Sequence, residues 1–475
     1  MKTFDLAVIG AGTGGLVSAV GAKALGADVV LIERERVGGE CLWTGCVPSK
    51  TLIKSARVFD LVKRSEEFGV HIEKPKLVWN AVKLRIKDVR DEIKKLEREE
   101  LNKANLEVVK GEASFVDANT LRMVGASGEQ TIRAKKFILA TGSKAKVPEL
   151  EGLRETGFIS YADVYDLPNL PRSLVVLGGG AVACEMAQAL ARFGVKVTIL
   201  QQDERLLPKE DKEVSQAALR VLEQSGVQVH LKAKAVRAGR GEDRAWVEFE
   251  KDNQTQRVES SKILVAVGKT VDVSSLKLDG IGVQSNERGL IVDEHLRTTT
   301  PNVWACGDCV GGLLFTHVAE AQAKIAVQNA LLPLKAKWDT RVVPWTTFLD
   351  PEIAHLGLTE EAARLEYSNP RIYRQSFKTL DRAIIEGETE GFLKVVCSPS
   401  GRVLGAHIVG ASAGELIHQW IAAVRDGALI EEFGEAIHVY PTLSEIAHRA
   451  GNASYQEMLD NKTVKWALGK LIQPD

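Results

Sequence analysis

Two cysteines stand five residues apart in the run Gly38-Gly39-Glu40-Cys41-Leu42-Trp43-Thr44-Gly45-Cys46-Val47-Pro48-Ser49-Lys50. Thiols this close can interconvert with a disulfide, which is two-electron chemistry. Residues five apart in a regular α-helix have Cα atoms about 8.7 Å from one another. A disulfide needs about 4.4–6.8 Å. Bonding Cys41 to Cys46 therefore requires a distorted backbone, and Gly38, Gly39, Gly45 and Pro48 are residue types that allow one. Strained, accessible disulfides tend to be the reactive ones. The competing reading is a pair of buried free thiols.

The surrounding elements favour the redox reading. Residues 3–33 read as strand, glycine turn, helix, strand, with the turn Gly10-Ala11-Gly12-Thr13-Gly14-Gly15 and a second strand that ends at Glu33. Such a turn brings the backbone close to a pyrophosphate, and its third glycine lets the helix pack against the strand. The helix N-terminus favours the phosphate charge, and Glu33 suits a ribose diol. Residues 173–201 repeat the pattern through Gly178-Gly179-Gly180-Ala181-Val182-Ala183. Gly10 to Glu33 and Gly178 to Gln201 both span 23 residues. One glycine turn is weak evidence, whereas two in full context with equal offsets imply two dinucleotides, most simply FAD and a nicotinamide cofactor. Gln201 is neither the acid that favours NAD nor an arginine for the NADP phosphate. Ala183 in place of the third glycine leans mildly to NADP, so NADH and NADPH both stay open.

The chain has 475 residues, a net charge of −1 and six cysteines. That length suggests about three domains. The charge gives no attraction to nucleic acid or anionic membrane. No apolar run approaches the roughly 18 residues of a membrane span, and the first residues lack a secretory pattern. The expectation is a cytoplasmic protein without nucleic-acid partners, in which a cysteine pair is catalytic rather than scaffolding.

With these motifs the chain resembles the pyridine nucleotide–disulfide oxidoreductase family from residue 3 to about residue 460. Beyond the cysteine segment and the two turns, the resemblance rests on Ala140-Thr141-Gly142-Ser143, Glu185, Ala266-Val267-Gly268, Gly307-Asp308 and Tyr440-Pro441-Thr442-Leu443-Ser444-Glu445. It implies an α/β protein with two Rossmann-like dinucleotide-binding domains and a C-terminal α+β dimerisation domain. The FAD domain would be residues 1–147 and 272–345, the NAD(P) domain 148–271, and the interface domain 346–475 of an obligate homodimer. It further implies that Cys46 is the thiolate beside the flavin and Cys41 the interchange thiol. Lys50 would approach the flavin and pair with Glu185, Ala113 would meet the adenine end, and Asp308 the ribityl chain. Gly10, Gly12, Gly14, Gly15, Glu33, Thr141 and Gly142 complete the FAD set, while Gly178, Gly180, Ala183, Glu185, Gln201 and Gly268 make the NAD(P) set.

Several positions depart from the family pattern. Dihydrolipoyl dehydrogenase and glutathione reductase place a histidine before the proline of the C-terminal motif, oriented by a glutamate. Here Tyr440 holds that place and Glu445 is kept. A tyrosine near pKa 10 is a poor base at neutral pH, and His438 is the substitute to weigh, against a purely structural role. Tyrosine at this place is similar to mercuric reductase, yet the terminal run Lys470-Leu471-Ile472-Gln473-Pro474-Asp475 lacks paired cysteines and no N-terminal metal-capture domain is seen. Ala181 replaces a tyrosine that several relatives place over the flavin, and Trp43 replaces the usual asparagine.

Cys306-Gly307-Asp308-Cys309 spells a second CxxC, but the family's Gly-Asp explains it without the thiols, and Cys184 and Cys397 read as buried small hydrophobes. The nine histidines show no ligand constellation, so no bound metal is expected. Residues 77–105 carry apolar residues at Val82, Ile86, Val89, Ile93 and Leu96. This spacing suits an amphipathic helix packed on its own domain or, alternatively, a partner-binding coiled coil.

The leading expectation is an FAD enzyme passing electrons from NAD(P)H to the Cys41–Cys46 disulfide and on to a small molecule, a disulfide or a metal ion. Dihydrolipoyl dehydrogenase is the alternative within the class. A redox-responsive binding flavoprotein and an oxygen-using NAD(P)H oxidase are the alternatives outside it.

Overall fold

The computed structural model describes residues 2–126, 128–460 and 462–472. The chain forms two compact units, Met1–Pro171 with Ser261–Trp338 and Arg172–Ser260 with Asp339–Asp475.

In the first unit, β1 (Thr3–Ile9) feeds α1 (Thr13–Ala24) and returns as β2 (Val29–Glu33). The two strands pair in parallel, with Ala7 opposite Val30 and Val8 opposite Leu31. Next come α2 (Gly39–Trp43), α3 (Cys46–Lys63) and α4 (Trp79–Lys103). The strands β3 (Glu107–Lys110), β4 (Glu112–Asp117), β5 (Thr120–Gly125) and β6 (Gly128–Leu139) follow. The sheet runs β3-β2-β1-β6, with strand Val303–Ala305 also on β6, and β5 and β4 extend it as an antiparallel meander. Leu6, Ala7, Val8 and Ile9 are all buried, as a parallel strand covered on both faces requires. Leu6 and Val8 join one apolar cluster, Ala7 and Ile9 the other.

The helix expected over 77–105 is α4, which packs along α3 in its own unit. Of its five heptad residues only Ile86 is buried, and Leu96 is 56% exposed.

The second unit repeats the opening motif. The strand β7 (Ser173–Leu177) leads to α5 (Ala181–Arg192) and β8 (Lys196–Leu200), then to β9 (Gln228–His230). These three strands pair in parallel in the order β9-β8-β7. A three-stranded antiparallel sheet covers residues 234–260. The later part holds a five-stranded antiparallel sheet in which β10 (Glu352–Gly357) pairs with β11 (Val403–Gly410). Its core gathers Trp420, Phe377, Leu393, Ile408 and Ile446. No described helix is long and apolar enough to cross a membrane.

Candidate active site

The helical run through the cysteine segment breaks between the two thiols. α2 ends at Trp43 and α3 begins at Cys46, with Gly45 between them at φ −101°, ψ −114°. A Cβ at Gly45 would lie 3.0 Å from the Glu40 carbonyl oxygen and 3.3 Å from Cys41 Cα. Glycine is therefore what lets the turn fold back on the first thiol. The Gly45 and Thr44 amides both donate to the Glu40 carbonyl, at 2.6 and 2.9 Å. Both cysteines are free thiols, Cys41 half-buried and Cys46 exposed.

The two thiols differ electrostatically. Cys46 is pulled down to about 6, first by a hydrogen bond from Cys41, then by Thr316 and the charges of Lys50 and Lys269. Cys41 moves strongly upward because it holds the shared proton and is partly desolvated. The reduced pair is thus one thiolate and one thiol at neutral pH. Cys46 Sγ lies 3.3 Å from Thr316 Oγ1, and Thr316 is the first residue of the helix Thr316–Leu331, where positive helix charge favours a thiolate.

A polar network that sequence reasoning missed extends through this unit. Lys269 Nζ donates to Glu40 Oε2 at 2.9 Å and to Asp308 Oδ2 at 3.2 Å. Ser143 Oγ donates to the same Asp308 oxygen at 2.6 Å, and the Tyr161 hydroxyl donates to Glu40. Glu40 precedes Cys41 and Lys269 follows Gly268, so adjacency to motif residues was the available signal. Trp43 donates its indole N–H to the Val37 carbonyl at 2.7 Å. Arg36, Arg90 and Lys94 lie within 4.5–5.4 Å of its ring centre, which places a cationic shell around the residue between the thiols.

The first glycine turn fits a dinucleotide. A Cβ at Gly15 would lie 1.7 Å from the Gly10 carbonyl oxygen, so helix and strand meet at a distance only glycine permits. α1 starts at the N-cap Gly12 with no side-chain cap, which leaves its first amides for an anion. Gly12 and Gly14 line this turn, and Gly14 faces Cys306. Glu33 Oε2 accepts the Ala11 amide at 2.7 Å. Thr141 Oγ1 is a buried hydroxyl oxygen that lies beside the Cys309 thiol and lowers its proton affinity. It precedes Gly142, which has open space on its Cβ side. Ala113 is buried in β4.

The second turn has the same backbone. Gly180 caps α5 at φ −79°, ψ −179°, close to the −78°, −175° of Gly12, again without a side-chain cap. Gly178 at φ 109° matches Gly10 at 101°. Ala183 is fully buried, and Gln201 donates its amide to Asp203 Oδ2 at 2.9 Å and to the Arg205 carbonyl at 3.2 Å. Glu185 is buried and accepts the Phe348 amide at 2.8 Å. Gly268 sits at φ 115° with open space beside it.

In the C-terminal motif, Tyr440 and Glu445 are connected through other side chains rather than as the family's histidine–glutamate pair. Tyr440 donates its hydroxyl to Asp381 Oδ2 at 2.8 Å, and that carboxylate raises the phenol further above its usual value. Glu445 Oε1 accepts from Arg449 at 3.0 Å, while its second oxygen is buried without a partner. His438 Nδ1 lies 3.1 Å from the Ala436 carbonyl. Asp381 and Arg449 approach to 3.6 Å, so the chain of contacts runs Tyr440, Asp381, Arg449, Glu445. Of the terminal run, Gln473–Asp475 lies outside the described residues.

Two other expectations meet the structure here. Cys306 and Cys309 are fully buried free thiols, both raised by burial, to about 12 and about 11. Cys309 donates to the carbonyls of Leu139 and Cys306, which is a packing role. Cys184 and Cys397 are buried as well. The expected lack of a histidine constellation needs correction. The fold brings His355 together with His407 and Glu210, which lie 52 and 145 residues from it in sequence.

Two glycine turns of this geometry and an asymmetric thiol pair define a dithiol oxidoreductase served by two dinucleotides. The profile of the pyridine nucleotide-disulphide oxidoreductases matches residues 4–323, and that of their dimerisation domain matches residues 343–450. The chain belongs to this family, whose enzymes contain FAD and depend on NAD(P)H. It is 36% identical to dihydrolipoyl dehydrogenase of Geobacillus stearothermophilus over 457 residues, covering 94% of this chain and 95% of that one. It is 32% identical to mercuric reductase of Bacillus cereus, covering 93% of this chain and 70% of that one. Among solved structures it is similar to the Cu(II) complex of the HOCl-induced flavoprotein disulfide reductase RclA from Escherichia coli. That match has a TM-score of 0.86 and 28% identity, covering 95% of this chain and 100% of that one. LpdA from Mycobacterium tuberculosis gives a TM-score of 0.87 at 27% identity, over 94% and 99% of the two chains.

Proposed function

We propose that this enzyme uses NAD(P)H to reduce the Cys41–Cys46 disulfide and that the resulting pair reduces a thiophilic metal ion such as Hg(II) or Cu(II). FAD held at the first glycine turn would supply the two-electron relay between the nicotinamide and the disulfide. One hydride equivalent converts the disulfide to a thiolate and a thiol. A divalent mercury ion taking both electrons restores the disulfide and releases one proton, and two cupric ions reduced to cuprous give the same balance. Cys46, held low by Cys41, Thr316, Lys50 and Lys269, is the thiolate, and Cys41 is the thiol that meets the acceptor. Lys50 and Asp308 serve the flavin, Glu185 and Gln201 the nicotinamide cofactor.

The observation that carries this reading is Tyr440. Its proton is committed to Asp381 and its affinity for that proton is raised. It therefore offers no base at neutral pH for dithiol–disulfide exchange, whereas metal-ion reduction needs no base to relay a proton to the product. Likeness to a mercuric reductase and to a reductase solved with Cu(II) supports the acceptor class. Oxidation of dihydrolipoamide by NAD+, as in a dihydrolipoyl dehydrogenase, is the second reading, favoured by the 36% identical relative of that name.

We read residues 1–147 and 272–345 as the FAD domain, 148–271 as the NAD(P) domain and 346–475 as the interface domain of a cytoplasmic homodimer. Ile437, Val439 and Tyr440 are 101%, 75% and 66% exposed, an apolar strip suited to burial by a second copy. The test compares initial rates with NADH or NADPH plus Hg(II) or Cu(II) against dihydrolipoamide plus NAD+. The proposal expects the metal ions to support turnover, dihydrolipoamide oxidation to be slow, and Tyr440→His to raise that oxidation at least about tenfold. Fast dihydrolipoamide oxidation by the unaltered enzyme would refute it.

A further inference from the structure

A second cluster of ligating groups lies buried in the unit that contains Arg172–Ser260 and Asp339–Asp475, and it is independent of the thiol chemistry. Glu210, His355 and His407 each present one ligating atom within 4.8 Å of the others. All three side chains are nearly inaccessible, with residue exposures of 3%, 2% and 0%. His355 comes from β10, His407 from the paired β11, where the two are direct register partners, and Glu210 from the residues just before the helix Lys212–Gln224.

Each of the three residues has one polar atom held by a partner outside the cluster, which fixes its orientation. Glu210 Oε1 accepts the Trp345 indole N–H at 2.6 Å. His355 Nε2 donates to the Gly357 carbonyl at 3.0 Å and His407 Nε2 to the Leu358 carbonyl at 3.0 Å. Metal-bound histidines typically donate their far N–H to a carbonyl in this way, which fixes the tautomer and points the lone pair of the other nitrogen inward. That leaves Glu210 Oε2, His355 Nδ1 and His407 Nδ1. The first two are 2.9 Å apart and share a proton. His407 Nδ1 is buried with no partner at all, and an orphaned buried acceptor calls for an explanation. The Trp345 ring lies parallel to His355 at 3.6 Å and shields it.

We propose that Glu210, His355 and His407 form a binding site for a divalent transition-metal ion, with Zn(II) the first choice. Two imidazoles and one carboxylate match the ligand preferences of zinc, copper and nickel, and exclude the all-oxygen shell of magnesium or calcium. In a tetrahedral zinc site, donor atoms about 2.0–2.2 Å from the ion lie roughly 3.3–3.6 Å apart. The site reaches that geometry by drawing in His407 and displacing the proton between Glu210 and His355, so the ion takes the place of that proton. The ion would tie β10, β11 and the Glu210 segment together as a structural clamp. Nearby, Lys394 is satisfied by Asp211 and Glu360 at 2.9 and 2.6 Å, so it does not compete for Glu210.

The test uses FAD-loaded protein carrying Cys41→Ser and Cys46→Ser, which removes the redox thiol pair that would also take up zinc. After incubation with Zn(II) and gel filtration, elemental analysis should find close to one zinc per chain. Zinc should also raise Tm by at least about 3 °C over the chelator-treated protein. His355→Gln and His407→Gln should each reduce the retained zinc at least tenfold. Because those variants could fold poorly, Co(II) bound to the protein with both histidines intact gives a second readout. Its visible spectrum should show d–d bands with no thiolate-to-cobalt charge transfer. Retention below a tenth of an equivalent, a thiolate signature, or undiminished zinc in well-folded histidine variants would each overturn the proposal. None of these results depends on which acceptor the thiol pair reduces.

Discussion

The two glycine turns share a backbone and differ in what that backbone encloses. N-cap dihedrals at Gly12 and Gly180 agree within a few degrees. Yet Gly15 meets the Gly10 carbonyl so closely that no Cβ fits, while the matching Ala183 carries one and is fully buried. The strand ends diverge further. Glu33 turns its carboxylate back to the Ala11 amide in the turn, whereas Gln201 spends its amide on Asp203 and the Arg205 carbonyl. On the proposed reading the backbone sets the class of ligand, a pyrophosphate at a helix N-terminus, and the side chain at the strand end sets which dinucleotide is held and how tightly. Only the first unit places a thiol pair shortly after its turn.

The largest expected effect comes from exchanging the third residue of each turn. Gly15→Ala must push α1 off β1, at a cost of about 1–3 kcal/mol or more, and the purified protein should lose most of its flavin on desalting. Ala183→Gly should cost at most about 1 kcal/mol and keep its flavin content. Equal tolerance at the two positions would break the comparison.

Next are the strand ends. Glu33→Gln weakens charge-assisted hydrogen bonds and should lower FAD affinity about 10- to 100-fold, measured by flavin fluorescence on dilution. Gln201→Glu should shift the NADH-to-NADPH ratio of kcat/KM toward NADH by about tenfold, because a carboxylate there opposes the 2′-phosphate. An unchanged ratio would mean that Gln201 does not face the nucleotide.

The smallest effect concerns the thiolate. The folded pKa of Cys46 lies below the ordinary thiol value, so the thiolate persists at neutral pH and is lost as pH falls through about 6. Thr316→Val removes one hydrogen bond, worth about 0.5–1.5 kcal/mol, and should raise that midpoint by about half a unit to one unit. The check is the pH dependence of thiolate absorbance in the reduced protein.

What was legible in the sequence was local. Both turns, the break between Cys41 and Cys46 and the long helix α4 follow from residue types within a few positions of one another. The network of Glu40, Lys269, Tyr161 and Asp308 was not legible, because its hydrogen-bonded pairs are separated by 39 to 229 residues and meet only through the fold. The same holds for His355 and His407, which are cross-strand partners in one sheet. The partner of Tyr440 was not legible either, because Asp381 lies 59 residues away in sequence. Asp381 and Arg449 link Tyr440 to Glu445, the two residues that stand where the family has its histidine and glutamate.

The central claim is that the flavin site and the Cys41–Cys46 pair act as one redox unit. An anaerobic titration of the FAD-loaded enzyme with NADH and with NADPH, followed by its visible spectrum, tests it most directly. The account predicts uptake of four electrons per subunit, with thiolate-to-flavin charge-transfer absorbance at the two-electron stage, and the better reductant identifies the nicotinamide. Uptake of only two electrons with simple bleaching would show that the thiols and the flavin are not in redox contact.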